Sequence, residues 1–190
     1  MMRGLREIKS KLKNILIGEF STSRFWKLRQ KSSHSRKPLK YIYSLLYSRY
    51  LIKYGASIPN NNEISSCPCF PHGIAGIFIS GASKIGSNCT IFHQVTIGSN
   101  TLEGSKNRGA PVIGDNVFIG CGAKIIGGVH IGNNVCIGAN CVVTRDVPDD
   151  CTVVMPHFRT ITRKGKNPPA FMGITEYIQS QKSESEDVKS

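Results

Sequence analysis

The chain has 190 residues, enough for one main domain and a small appendage. Its 25 Lys and Arg against 12 Asp and Glu give a net charge of +13, and residues 1–54 hold 14 of those cations against only Glu7 and Glu19. No apolar run approaches the roughly 20 residues of a membrane span, and Ile15-Leu16-Ile17 is too short for a signal-peptide core, so neither a spanning nor a signal-led class is expected.

Residues 1–20 set Leu5, Ile8, Leu12, Ile15 and Leu16 at helical spacing, with Arg3, Arg6, Lys9, Lys11 and Lys13 between them. Ser21 to Lys37 reads as a polar, basic loop around Phe25 and Trp26. Pro38 suits a first helical turn, and Leu39, Ile42, Leu45, Leu46 and Tyr50 continue a helix that Gly55 ends. This basic segment, 1–55, is expected to cap the open end of the coils that begin at residue 56. Its charge over 1–54 also suits peripheral contact with an anionic membrane. No stacking-aromatic motif or recognition helix points to nucleic acid.

Residues 56–78 read as a first, irregular coil, with Ile58 and Ile64 inward and Pro59, Pro68 and Pro71 interrupting the ladder. Cys67-Pro68-Cys69 lacks the rest of a zinc constellation, and no metal is expected. From Ile79 the chain repeats in sixes. The first slot holds Ile79, Ile85, Ile91, Ile97, Ile113, Ile119, Ile125, Ile131, Ile137 and Val143. The fifth holds Ser83, Cys89, Val95, Thr101, Val117, Ala123, Val129, Val135, Cys141 and Val147, and the second is Gly in six of the ten hexads. A hexapeptide period predicts a parallel β-helix, one short strand and one corner per hexad. First and fifth residues then point inward, and glycine turns the corners. The frame jumps once, so that residues 103–112 are extruded as a loop carrying Glu103, Lys106 and Arg108, a place for binding groups. Seven cysteines, two of them in inward slots, fit a reducing compartment, and the cytoplasm is expected. The β-helix is bounded at 56–160. Beyond it, in 161–190, a basic connector (163–169), a short helix (170–178) and a disordered tail from Gln179 are expected.

Three stretches carry a family likeness: Pro71-His72-Gly-Ile-Ala-Gly76-Ile77-Phe78-Ile79, Phe92-His93-Gln-Val-Thr-Ile97-Gly98, and Ile119-Gly-Cys-Gly-Ala-Lys124-Ile125. With the loop and Val143-Thr-Arg-Asp-Val-Pro148, they resemble the hexapeptide-repeat acyltransferases, closest to the serine acetyltransferase branch and including O-acetyltransferases of polysaccharide biosynthesis. The resemblance implies an all-β core, a left-handed parallel β-helix of three sides. It also implies a homotrimer with active sites between subunits, and direct acetyl transfer from acetyl-CoA to a hydroxyl. His72 occupies the position of that family's catalytic base, and Glu63 or Glu103 is a candidate to orient it. His93, third in its hexad, is a second catalytic candidate. It lies one 18-residue coil plus half a hexad after His72, so the two need not share a face of one subunit, though a three-fold interface could join them. By position, Gly98, Ser99, Cys121, Gly122, Ala123 and Ala139 match the acetyl-CoA groove, and Arg145 (or Arg163 or Lys164) could meet its phosphates. Pro71 stands where the serine enzymes have Asp, and Gly109-Ala110-Pro111 where they have Arg-His-Pro, leaving L-serine and a sugar hydroxyl both open as acceptor. A zinc-dependent β-helix hydratase using His72, His93 and His130, and a non-catalytic hexapeptide scaffold, are the other readings. His130 reads as an ordinary surface residue, while His34 and His157 support no assignment.

Overall fold

The computed structural model of the chain describes residues 20–156. All but Phe20 of the helix expected over 1–20 lies outside the described residues, as do the connector, the C-terminal helix and the tail, with His157, Arg163 and Lys164.

Two helices precede the coils, α1 (Thr22–His34) and α2 (Leu39–Lys53). The first replaces most of the loop expected over 21–37. Ser21 caps it by accepting from the Arg24 backbone N–H at 3.4 Å, and Phe25, Leu28, Arg29 and Ser32 form its buried side. That i, i+3, i+4, i+7 pattern is helical, but half of it is polar, which hid it from a reading of apolar periodicity. The buried Arg29 explains the exception. Its guanidinium donates to the Asn62 backbone oxygen and Oδ1, both at 2.8 Å, and to the Pro59 carbonyl at 3.1 Å, and it lies 4.9 Å from the Trp26 ring. Burial lowers its pKa from the usual arginine value, yet the hydrogen bonds keep the side chain inside.

The helices cap the coils through aromatic packing. Phe25 stacks on Tyr47 at 5.8 Å and meets Phe70 edge-on at 5.7 Å, and the Tyr47 hydroxyl donates to the Ile58 carbonyl at 2.8 Å. Desolvation raises the Tyr47 pKa, so the phenol stays a neutral donor.

The coils form three parallel four-stranded sheets. The first face holds β1 (Glu63–Ile64), β3 (Lys84–Ile85), β6 (Val112–Ile113) and β9 (His130–Ile131). The second holds β4 (Thr90–Ile91), β7 (Phe118–Ile119), β10 (Cys136–Ile137) and β12 (Thr152–Val153). The third holds β2 (Phe78–Ile79), β5 (Thr96–Gly98), β8 (Lys124–Ile126) and β11 (Val142–Val143). Every first-slot residue is buried and stacks on its counterpart, as Ile79 does on Ile97 and Ile97 on Ile125. Each fully buried side chain of this size is worth about 1.5–3 kcal/mol against exposure. The fifth slots are buried too, except Thr101, where the chain leaves for the loop; Pro111 is buried on re-entry and accepts from the Lys84 N–H at 3.1 Å.

The glycines do a different job from the one expected. Left-handed backbone falls at the fourth slot, on Asn88, Gln94, Asn116, Gly122, Asn134 and Asn140. Those residues turn the corners. The second-slot glycines allow close stacking instead: a Cβ on Gly114 would lie 2.9 Å from the Gly132 carbonyl oxygen.

Candidate active site

The three edges of the prism differ chemically. Between the first and second faces, side-chain ladders seal the backbone. Asn88 donates to Asn116 at 2.8 Å, Asn116 to Asn134 at 3.1 Å, and Asn134 to Asp150 at 2.9 Å. Beside them Asp115, Asn133 and Asp149 side chains accept from the backbone N–H groups of Ser87, Asp115 and Asn133. These polar groups are mutually satisfied.

The edge between the second and third faces carries imidazoles and small residues. His93-Gln94, Cys121-Gly122 and Ala139-Asn140 stack there, joined by Gly122 N–H to His93 O at 3.1 Å and Asn140 N–H to Cys121 O at 2.8 Å. The turn bearing His72 sits on top, with Gln94 N–H donating to Ala75 O at 2.8 Å. This turn makes the first coil three residues longer than a regular one: Cys69 pairs with Thr90, twenty-one residues on, whereas Phe78 pairs with Thr96, eighteen on.

That lengthening decides the geometry of the histidines. Their separation of twenty-one residues equals the pitch of the first coil, not a coil plus half a hexad. His72 and His93 therefore meet within one chain, Nδ1 to Nδ1 at 3.2 Å, with ring centroids 5.2 Å apart. Phe92 meets the His72 ring edge-on at 5.2 Å and is itself 5.1 Å from Phe118. A single proton between two Nδ1 atoms makes one ring the donor and the other the acceptor. With His72 as donor, its Nε2 carries a lone pair, the form a general base requires.

Neither proposed carboxylate orients His72. Glu63 pairs with Lys84 at 3.0 Å, and Glu103 belongs to the loop on another edge. Lys124, quoted in the motif but given no role there, braces this edge: its ammonium donates to Gln94 O at 2.8 Å and Gly122 O at 2.9 Å. Phe92, Phe118 and Lys124 were legible only as outward slots on neighbouring rungs. Ala123 is buried inward, so of the donor-site residues Cys121, Gly122 and Ala139 line this edge.

Gly98, Ser99 and Arg145 fall on the edge between the third and first faces, together with the loop and its Glu103, Lys106 and Arg108. The loop is tied down. Asn100 and Gly109 exchange backbone hydrogen bonds of 2.8 and 2.9 Å, and Gly128 N–H donates to Asn107 O at 2.9 Å. The Asn107 side-chain amide donates to the Thr144 carbonyl, next to Arg145. Gly127, at φ +95°, permits this docking, since a Cβ there would lie 2.6 Å from Asn107 O. One chain thus divides the expected donor-site residues between two edges.

His130, on the first face, stands apart from the histidine pair; its backbone N–H donates to Asp146 Oδ1 at 2.7 Å. Among the described residues no three His, Cys, Asp or Glu side chains converge as metal ligands. Cys67 is half-buried and Cys69 exposed, both as free thiols.

Residues 110–145 match the family model "Bacterial transferase hexapeptide (six repeats)". A serine acetyltransferase of Synechococcus elongatus is 44% identical over 94 residues, 50% of this chain and 37% of that protein. One from Staphylococcus xylosus is 40% identical over 119 residues, 62% of this chain and 54% of that protein. The structure of soybean serine acetyltransferase complexed with serine superposes with a TM-score of 0.57 at 30% identity, covering 74% of this chain and 56% of that one. The chain spans between about a third and just over half of these relatives. Ten stacked first-slot residues, three parallel faces and the matched coils agree, and over its coils the chain is similar to hexapeptide-repeat transferases, the serine acetyltransferases among them.

Proposed function

We propose that this protein is an O-acetyltransferase that moves an acetyl group from acetyl-CoA to a hydroxyl of L-serine or of a sugar. The observation that carries the reading is the His72–His93 pair on an edge of small residues. His72 Nε2 takes the proton of the acceptor hydroxyl as its oxygen attacks the thioester carbonyl. The C–S bond of the tetrahedral adduct then breaks, and the proton passes to the departing CoA sulfur. His93 accepts the His72 Nδ1–H throughout, so the imidazolium formed during attack keeps its partner. Backbone N–H groups of the edge would stabilise the oxyanion.

Acetyl-CoA is read as lying along Cys121, Gly122 and Ala139 of one subunit, with Gly98, Ser99 and Arg145 supplied by a neighbour in a homotrimer. The loop residues Glu103, Lys106 and Arg108 then border the acceptor. L-serine is supported by the serine complex of the soybean relative, and a sugar by Gly109-Ala110-Pro111 in place of the serine enzymes' Arg-His-Pro.

The test is CoA-thiol release from acetyl-CoA against L-serine and a panel of sugars. His72→Ala should lower kcat roughly 10²–10⁴-fold, the usual contribution of a general base, with the melting temperature unchanged. Absence of thiol release with every acceptor, together with no thermal stabilisation by CoA, would leave the scaffold reading in its place.

A further inference from the structure

The α2 helix is apolar on both sides, and among the described residues only one of them is packed. Tyr47 and Tyr50 are buried against the coils, while Tyr41, Ile42, Leu45 and Ile52 stand on the opposite side, Leu45 61% and Ile52 78% exposed. At 100° per residue, Ile42, Leu45, Arg49 and Ile52 share one stripe, with Tyr41 beside it. Arg49 lies on the stripe itself, Lys37 stands just before the helix, and Lys53 ends it about a quarter turn to one side. Between residues 20 and 54 there are nine Lys and Arg and no Asp or Glu.

We infer that this face of α2 docks on an anionic lipid bilayer. The combination of apolar stripe and uniform positive charge selects that partner. A second copy of the same face would set Arg49 and the terminal lysines against like charges, with no carboxylate on either helix to offset them. A nucleic-acid backbone would satisfy the cations but leave Leu45 and Ile52 against water. A bilayer interface accepts both: apolar side chains enter the acyl boundary while Arg49 and the lysines reach back to lipid phosphates. The Lys37 ammonium, 5.9 Å from the Tyr41 ring, and that of Lys31, 5.2 Å from Tyr43, supply the aromatic–cation pairs that suit the headgroup layer. No helix among the described residues is long and apolar enough to cross a membrane, so this is attachment in the plane of the surface. Docking of this kind is independent of acetyl transfer.

The test is co-sedimentation of the full chain with phosphatidylcholine vesicles, with and without a third of phosphatidylglycerol, at physiological ionic strength. Partitioning should be about tenfold or more stronger on the anionic vesicles. The double variant Leu45→Gln/Ile52→Gln should weaken that binding about tenfold or more while melting as wild type does, because both side chains are exposed. Binding equal on both vesicles, binding unaffected by the double variant, or no binding overturns the inference. So does a drop in oligomeric mass of the double variant in the absence of lipid, which would make the face a protein–protein contact.

Discussion

His93 has an inward neighbour on each side, Ile91 and Val95, whose places the repeat dictates, but its own role depends on a turn outside the repeat. The three extra residues in the turn after Cys69 bring His72 over it, and the pair at 3.2 Å results. If His93 holds the His72 tautomer, the needed atom is a hydrogen-bond acceptor at the Nδ1 position. Asparagine offers Oδ1 there and leucine offers nothing. His93→Leu should therefore lower kcat about tenfold, the worth of roughly one hydrogen bond, with KM for acetyl-CoA unchanged. His93→Asn should restore most of the rate. Steady-state kinetics on both variants check this, and equal losses in the two would assign His93 to packing alone.

At the scale of elements, the asparagine ladder is a stability device that the repeat pattern concealed. Asn116 adopts φ +56°, which most side chains resist, and exchanges side-chain hydrogen bonds with Asn88 and Asn134. Asn116→Ala loses both bonds and keeps the strained backbone, and should cost about 1–3 kcal/mol, read as a lowered urea midpoint. Acetyl transfer should persist in the folded variant, because the ladder lies on a different edge from His72. The same contrast explains what was legible in the sequence. The isoleucine column announced the three faces because inward burial forces the same residue type at a fixed period. The extruded loop showed as a break in that period. The helix α1 did not show, since Arg29 and Ser32 take inward places where tertiary hydrogen bonds, not hydrophobicity, hold them. The meeting of His72 with His93 was hidden for a related reason: the coil before Phe78 has a pitch of its own that no repeat predicts.

For the whole molecule, the decisive feature is that one prism cannot assemble every residue the donor site is expected to use. Cys121, Gly122 and Ala139 lie with the histidines on one edge, and Gly98, Ser99, Arg145 and the tethered loop lie on another, with the third face between them. That face exposes Phe78 and Val142, at 50% and 64%, which are large apolar side chains for a free surface. A three-fold ring packs one edge of each copy against a different edge of the next, and so would complete three equivalent sites. The consequence is complementation between inactive chains. His72→Ala and Arg145→Ala damage opposite edges, so a chain carrying only one of them still offers one intact edge to its neighbour. Co-expressed at equal levels, the two variants should form mixed trimers in which about a quarter of the sites draw both edges intact by random pairing, and thiol release should recover to that fraction. Separately purified and assayed without exchange, each variant should stay at its own low rate. If the mixture recovers nothing while its mass confirms assembly, the site lies within one chain, and Arg145 belongs to an edge that the acetyl donor never reaches.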